Sequence, residues 1–374
     1  MASEAKPRVA VHLHAGQDPV VRAERHAQGL TLDLTPYGYE RAANEFELVW
    51  SRSHPETRIS GALRRRLTNW LGFDLLHAWR NRRLILGSDA VWTHTEREHL
   101  AVAAIQLFRR SRVPVVAQSV WLWDAWASYG ALRRRLVAML LRTHPVELVH
   151  SRLNRSDSLA AVPGRRVLLV PFGSASAGRS PSAPGPSRGR PLVLAVGNDR
   201  DRDWPLLAEV AATVAEADFR VASSSPAARA QQWPGNVVVG PVVTVHELGE
   251  LYATATVVTL PLRLNRHASG TTGCVEALAA GARIVATDAG GLDDYLGSAG
   301  RLVAAGDAGA FAAAVRAGLR AEFPSAPVET VAARGLTQAD YVQRYIAVTA
   351  ALLGLADWDP AISQFAPMPS GREQ

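Results

Sequence analysis

The strongest constraint on the fold is an alternation of short apolar segments with helical segments, which occurs twice along the 374-residue chain. In the first half, strands are predicted at residues 8–13, 46–50, 90–94, 113–119, 146–150 and 167–170. In the second half they are predicted at residues 192–196, 220–222, 237–239, 257–260 and 283–287. Helical periodicity is clearest at residues 96–110, 203–217, 246–254, 271–280 and 338–353. Strands that alternate with helices are typical of parallel sheets with crossover helices, so the sequence predicts an α/β protein.

Residues 174–190 separate the two alternating regions and contain only Ser, Ala, Gly, Pro and Arg. Such a segment cannot bury an apolar core and is typical of a linker. We therefore predict two Rossmann-like domains with parallel sheets, at residues 1–173 and 191–337, facing each other across a cleft. Residues 338–374 are predicted to form a helix that packs back on the first domain, followed by a loose tail. A cleft between two such domains is a preferred place for a ligand.

The chain contains one lysine and one cysteine, and these counts exclude several kinds of site. Lys6 lies near the N-terminus, where it can serve neither a P-loop nor a pyridoxal phosphate Schiff base. Cys274 alone cannot form an internal disulfide or a cysteine-based zinc site. We therefore expect no such cofactor.

The net charge of +7 indicates anionic partners, although 40 of the 41 basic residues are arginine, a bias typical of GC-rich genomes. No zinc finger, RNP motif or basic arm is present, so we expect no nucleic acid partner. Basic, aromatic segments at residues 64–83 and 131–137 fit either helices on an anionic bilayer or ordinary amphipathic helices. No signal peptide pattern or 18-residue apolar run occurs, so we expect a cytoplasmic location, with peripheral contact at the inner face of the membrane left open.

The segment with the clearest chemical signal is residues 261–295. A strand ends at residue 260, and Ser269, Gly270, Thr271 and Thr272 then open a helix. The first N–H groups of a helix lack intrahelical partners and carry the positive end of the helix dipole, so they suit a diphosphate. Glu276 lies in the same helix, where its carboxylate could accept hydrogen bonds from ribose hydroxyls. The alternative is a well-capped helix with an exposed glutamate.

This segment resembles family 4 of the glycosyltransferases, which have the GT-B fold. The matching residues are the Glu-Ala-Leu-Ala-Ala-Gly run at 276–281, Val-Ala-Thr at 285–287 and the double glycine at 290–291. The resemblance implies that Glu276 holds the donor ribose and that residues 269–272 hold the diphosphate or the sugar. It also implies retention of anomeric configuration without a metal, and no cofactor other than the nucleotide-sugar co-substrate.

The chain departs from the family pattern before this helix. The first glutamate of the pattern falls on Ala268, which cannot bind a sugar hydroxyl. The run from His267 to Gly270 resembles instead a divergent branch of the family with a His-x-Ser-Gly loop, and His267 is a predicted donor contact. The resemblance also implies further donor contacts in the second domain and one in the first, at Gly197, Asn198, Arg202, Ser223, Val242 and Gly16. Arg202 is our candidate for the cation that neutralises the diphosphate, because a guanidinium binds phosphate in a bidentate manner.

In the first domain, two residues at the ends of predicted strands are candidate catalytic groups. His94 would bind a donor or acceptor hydroxyl, or it is a plain strand-end histidine. Asp124 would act as a general base, or it caps a helix N-terminus. Acceptor contacts are predicted at Tyr37, Tyr39, Trp121 and Trp123, although core packing is the usual fate of tryptophan.

The sequence as a whole predicts transfer of a sugar from a nucleoside diphosphate sugar to a hydroxyl acceptor, such as a sugar, a lipid-linked sugar or a natural product. We identify no carboxylate pair next to the Ser269-Gly270 loop, which argues against a divalent ion. The alternatives are a nucleotide-sugar epimerase or hydrolase of the same architecture, and a non-catalytic protein that binds nucleotide-sugars.

Overall fold

The computed structural model describes residues 5–175, 189–327 and 329–369, and its strands form two parallel six-stranded sheets. The first sheet has the order β2-β1-β3-β4-β5-β6, with β1 Arg8–Val11, β2 Glu47–Trp50, β3 Ala90–Trp92, β4 Val115–Gln118, β5 Val146–Val149 and β6 Val167–Leu169. The second has the order β12-β11-β10-β7-β8-β9, with β7 Leu192–Val196, β8 Asp218–Ala222, β9 Val237–Gly240, β10 Val257–Leu260, β11 Arg283–Thr287 and β12 Gly300–Val303. The predicted α/β class and the pair of parallel sheets are confirmed.

The helices of the first region are α1 Pro19–Ala27, α2 Arg58–Leu71, α3 Leu75–Arg80, α4 Arg82–Leu86, α5 Glu96–Arg109, α6 Leu122–Trp126, α7 Ala131–Leu141 and α8 Arg152–Ala161. Those that follow are α9 Trp204–Thr213, α10 Pro226–Ala230, α11 Val245–Thr254, α12 Thr271–Ala279, α13 Asp293–Leu296, α14 Ala308–Leu319, α15 Thr330–Ala333 and α16 Gln338–Leu352. Two 3₁₀ segments lie at Pro36–Ala42 and Pro360–Ser363. Within the described ranges, no helix has both the length and the hydrophobicity required to cross a bilayer.

Helices cover both faces of each sheet, which explains why the strands consist almost entirely of apolar residues. On one face of the first sheet, α5 and α7 pack over a core that includes Val91, Val115 and Val149. Its other face is covered by α16, which follows the second sheet in sequence. The side chain of Trp92 donates a hydrogen bond to the hydroxyl of Thr349 (2.7 Å) in this helix. The C-terminal helix thus returns to the first sheet.

The two halves contact each other on both sides of the cleft. The hydroxyl of Tyr295 donates to the carbonyl of His150 (2.7 Å) and accepts from the amide of Phe172 (3.0 Å). Elsewhere the amide of Val245 donates to the carbonyl of Gly29 (3.1 Å). Of the predicted linker, residues 176–188 lie outside the described residues. The carboxyl ends of parallel strands and the loops that follow them form the walls of the cleft.

Candidate active site

The loop between β10 and α12 is built around a glycine and two internally bonded hydroxyls. Gly270 precedes α12 with φ 83°, a left-handed conformation that glycine adopts without steric cost. The hydroxyl of Ser269 donates to Oδ1 of Asp199 (2.8 Å), and that of Thr271 donates to the carbonyl of Ala268 (2.5 Å). Both hydroxyls therefore fix the turn. Thr272, by contrast, is exposed and leaves its hydroxyl available to a ligand.

Arg202 lies behind this turn and is almost fully buried, with 5% of its surface exposed. Its Nε and Nη1 atoms have no hydrogen-bond partner among the described residues. A β-carbon at Gly197 would overlap the guanidinium, and one at Gly270 would lie 3.4 Å from Nη1. Burial lowers the pKa of Arg202, while the charges of Asp199 and Glu276 act in the opposite direction. A buried guanidinium with unused donors is costly unless an anion binds it, so this is the clearest sign of an anion site.

Glu276 lies one turn further along α12 and is bonded to a tyrosine of α11. The hydroxyl of Tyr252 donates to Oε2 of Glu276 (2.9 Å). Burial raises the pKa of Glu276 to about 7, although the Tyr252 hydrogen bond and the charge of Arg202 lower it. At neutral pH this carboxyl group is therefore close to its pKa, and its ionised form is a hydrogen-bond acceptor.

Both domains line a cavity of about 510 Å³ that includes Glu276 and Thr272. Its volume is in the range of small-molecule sites. The first domain contributes Gln17, Arg22, Arg25 and Tyr37, and the second contributes Tyr252 and residues of α11. Nε of Arg22 is buried and has no hydrogen-bond partner within the described ranges, and burial lowers the pKa of this guanidinium. Gly16 has a φ of 100° and directly precedes Gln17. The Gly16 loop, which was predicted to lie beside the donor site, therefore leads to this wall of the cavity.

Asn198 and Ser223 are brought together at the ends of β7 and β8. Oδ1 of Asn198 accepts from the hydroxyl of Ser223 (3.1 Å) and from the amide of Ser224 (2.7 Å). Gly197 precedes this contact with φ 140°. Val242 follows β9 and packs, half-buried, on the core of the second domain. These predicted donor residues thus share one edge of the second sheet.

His267 connects the two domains. Its Nδ1 is hydrogen-bonded to Asp124 of the first domain, and its Nε2 lies 3.3 Å from Oδ2 of Asp199 in the second. Burial lowers the pKa of His267, but the hydrogen bonds and charges of Asp124 and Asp199 outweigh it and raise the pKa to about 9. The amide of Arg266 donates to Asp124 (2.6 Å), and its guanidinium pairs with Asp157 (2.7 Å). His267 is therefore a cation between carboxylates rather than a free donor ligand.

The structure corrects two interpretations of the acidic residues. The side chain of Asp124 does not cap a helix, since the N-cap of α6 is Trp121 and makes no side-chain hydrogen bond. The expectation that no carboxylates lie beside the Ser269-Gly270 loop is also wrong, because Asp199 and Asp201 lie there in the Asp-Arg-Asp run at 199–201. Asp124, Asp201 and His267 bring potential metal-ligand atoms within 4.8 Å of one another. A metal ion at this place would have to displace the proton that Asp124 and Asp199 hold on His267.

His94 and two of the four predicted acceptor residues are enclosed. The ring of Tyr37 stacks on His94 with centroids 3.3 Å apart, and the hydroxyl of Tyr39 lies 3.2 Å from its Nδ1. Tyr39 is fully buried, and Trp123 is buried with its indole N–H donating to Glu147 (3.1 Å). The predicted acceptor contacts of Tyr39 and Trp123 are therefore wrong, since both side chains fill the core.

Trp121 and Tyr37 remain candidates for acceptor contacts. Trp121 is 36% exposed, with its ring 6.3 Å from that of His267, and Tyr37 lines the cavity. Sequence reasoning missed Tyr252, Asp199 and Arg22. Asp199 follows Asn198 directly, and Arg22 lies in the helix after the Gly16 loop, so their positions were available signals. Tyr252 lies in α11, and its partner Glu276 is 24 residues away, so no local pattern revealed it.

Comparison with known proteins agrees with this geometry. Residues 190–320 match the family model of "Glycosyl transferases group 1". No curated protein matches the chain in sequence. Sucrose-phosphate synthase from Thermosynechococcus elongatus is similar in structure, with 16% identity, a TM-score of 0.64 and coverage of 93% of this chain and 98% of that one. HepE from Anabaena, in complex with UDP and glucose, has 12% identity, a TM-score of 0.60 and coverage of 91% and 99%.

A third similar structure is a putative UDP-N-acetylglucosamine 2-epimerase from Listeria monocytogenes, with 9% identity, a TM-score of 0.55 and coverage of 98% and 100%. At such low identities, these structures show the fold alone and do not separate transfer from epimerisation. The family model carries the enzyme class. The predicted resemblance is confirmed: the chain has the GT-B fold, and its residues 190–320 match the group 1 glycosyltransferases.

Proposed function

We propose that the chain transfers a sugar from a nucleoside diphosphate sugar to a hydroxyl acceptor, with retention of configuration and without a divalent cation. The observation that carries the proposal is Arg202, a buried guanidinium beside the N-terminus of α12 whose Nε and Nη1 have no partner in the described part of the chain. An anion at this place would receive hydrogen bonds from the guanidinium and from the first N–H groups of the helix. A diphosphate has the charge and the several oxygen acceptors that such a site requires.

The same two groups would assist the chemical step. When the glycosidic bond to the diphosphate breaks, negative charge develops on the leaving oxygen. Fixed positive charge in a site that excludes water stabilises that charge without reorganisation. Arg202 and α12 would thus perform the task that a divalent ion performs in other sugar transferases.

The remainder of the donor would extend from this point along the second sheet. Glu276 would accept hydrogen bonds from the ribose hydroxyls, replacing the single bond that it now receives from Tyr252. The turn formed by Asn198 and Ser223 at the ends of β7 and β8 would face the nucleobase. The complex of the structurally similar HepE with UDP and glucose is consistent with a uridine donor, although the side chains near this turn do not select one base.

The acceptor would enter from the first domain, whose Arg22 and Tyr37 form the opposite wall of the cavity. Asp124 contacts the loop before Ser269 from that side, but its two oxygens accept from Arg266 and His267. It is therefore not free to act as the base that an inverting displacement requires. This engagement supports retention, and a sugar, a lipid-linked sugar or a natural product can supply the hydroxyl.

Product analysis with a panel of nucleotide-sugars and hydroxyl acceptors tests the proposal. Transfer predicts release of the nucleoside diphosphate together with a glycosylated acceptor that keeps the anomeric configuration of the donor. Ala268, in the position of the family's first glutamate, gives a specific reason to consider a second function, a non-catalytic protein that binds nucleotide-sugars. Binding without turnover of any donor would favour that function, while an epimerised donor or free sugar would favour an epimerase or hydrolase.

A further inference from the structure

Two helices of the first domain present apolar side chains to solvent. In α2 these are Ile59, Leu63, Leu67 and Trp70, with Ile59 83% exposed and Trp70 76% exposed. In α7 they are Leu132, Leu136 and Met139, with Leu132 82% exposed. The spacings of three and four residues place each set on one side of its helix. We call these seven residues the α2–α7 face.

The α2–α7 face points away from the protein core. Gly61 is the only described residue of α2 that is buried, and a helical wheel places it opposite Ile59 and Trp70. In α7 the inward side is formed by Val137, Leu140 and Leu141, all buried. Each helix therefore has a second apolar side that the fold does not use. Clustered exposed apolar side chains of this kind mark a binding surface more often than isolated ones do.

The same helices carry excess positive charge, although Arg64 is paired with Glu56 and Asp74 on either side of α2. Residues 57–73 contain four arginines and no acidic residue, and residues 125–146 also contain four arginines and no acidic residue. Arg65, Arg66, Arg134 and Arg135 are exposed. The helices are neighbours, because the guanidinium of Arg133 lies against Gly72, the residue that ends α2. The apolar residues are thus bordered by a cationic rim.

A third feature lies in the same layer of helices. Trp79, Arg82, Arg83 and Arg109 line a cavity of about 430 Å³, and the guanidinium of Arg82 lies 4.6 Å from the centre of the Trp79 ring. The helices that carry these residues pack on the same face of the first sheet as α7. A cavity with three guanidinium groups is suited to a phosphate group.

We propose that the α2–α7 face docks on the surface of an anionic lipid bilayer. Leucine, isoleucine and tryptophan side chains would enter the boundary between headgroups and acyl chains, while the arginines bind lipid phosphates. A second copy of the chain fits this surface less well, since a symmetric contact would bring the exposed arginines 65, 66, 134 and 135 of one copy against the same residues of the other. The proposal concerns binding alone and does not depend on the transfer reaction.

Co-sedimentation of the full-length protein with vesicles tests the proposal. The protein should pellet with vesicles that contain phosphatidylglycerol and remain in the supernatant with phosphatidylcholine alone, and added salt should release it. An Ile59→Ser/Trp70→Ser variant should bind on the order of tenfold more weakly for each side chain removed. An Arg65→Gln/Arg66→Gln variant should lose the preference for the anionic lipid. Since all four side chains are exposed, thermal unfolding should be unchanged.

The matched control is Leu355→Ser/Arg229→Gln, which alters an exposed leucine and an exposed arginine outside the α2–α7 face. It should pellet like the parent protein. Equal pelleting with both vesicle types, or variants of the α2–α7 face that bind like the control, would overturn the proposal. Size-exclusion chromatography adds a further readout, because a dimer that these variants convert to a monomer would assign the surface to a second copy instead.

Discussion

At the scale of single residues, the proposed donor site depends most on Arg202. A guanidinium that is 5% exposed, with two donor atoms unsatisfied, is stabilising only when an anion occupies the space beside it. Arg202→Ala should therefore lower turnover on the order of 100-fold, as the loss of a preorganised charge stabiliser does. Arg202→Lys should recover part of the activity, because a point charge cannot reproduce the planar fork. Steady-state kinetics measure both effects, with Arg229→Ala as an exposed control.

Glu276 allows a second test at this scale, because its substitution should stabilise the folded chain and at the same time weaken nucleotide binding. Its pKa in the folded chain is about 7, raised by burial above the value of 4.5. The folded state therefore holds this proton more tightly than the unfolded state, and stability is lost as the pH rises from about 4.5 through about 7. Glu276→Gln cannot ionise, so at pH 8 it should raise the free energy of unfolding by about 1–3 kcal/mol.

The same variant should weaken nucleotide binding by about 1.5–3 kcal/mol, since a hydrogen bond to a charged acceptor is lost. Denaturant unfolding and calorimetric titration measure the two quantities separately. Glu250→Gln, which changes a carboxylate lining the same cavity, is the control. A loss of stability together with unchanged nucleotide affinity would assign Glu276 a structural role.

At the scale of elements, the loop that precedes α12 couples the donor site to the first domain. Burial lowers the pKa of His267, but Asp124 and Asp199 raise it to about 9. The stabilising charge is therefore fully present below about pH 6.5 and is lost as the pH rises through about 9. Unfolding measured between pH 6 and 10 should show this loss. Asp124→Asn should lower the stability at pH 7 by about 1–3 kcal/mol and reduce the pH dependence.

Asp157→Asn is the matched control for that experiment. Asp157 also reaches across the cleft, to Arg266, but it makes no contact with His267. Its substitution should leave the slope of stability against pH intact. If Asp124→Asn and Asp157→Asn gave the same pH profile, the assignment of the titrating group to His267 would be wrong.

Prediction from sequence succeeded where a local pattern determines an element. Sequence patterns identified the apolar runs of β1 to β11 and the glycine that opens α12. Buried parallel strands require apolar residues and left-handed turns favour glycine, so both can be recognised from a short segment. β12 was missed, since Gly300–Val303 is short and begins with glycine and arginine. Tyr39 and Trp123 were misplaced, because an aromatic residue suits a core and a ligand wall equally well, and only the packing of distant segments decides.

At the scale of the whole molecule, the two domains together form the site. Arg22 of the first domain and Glu276 of the second line the same cavity, and Arg202 of the second domain lies behind the Gly270 turn near Glu276. Neither wall could be matched to the other from sequence, because the residues concerned lie far apart in the chain. The cross-domain pairs of Asp124 with His267 and of Arg152 with Asp294 maintain this arrangement. Changes at one wall should therefore alter binding at the other.

The central claim is that protein cations, rather than a divalent ion, hold the donor diphosphate. Titration calorimetry of UDP, GDP and ADP against the protein in excess EDTA tests it most directly. The account predicts that at least one diphosphate binds, that added Mg²⁺ or Mn²⁺ leaves the affinity unchanged, and that Arg202→Ala weakens it on the order of tenfold or more. Binding that appears only with the added metal ion, and that is the same for Arg202→Ala as for the parent protein, would contradict the account.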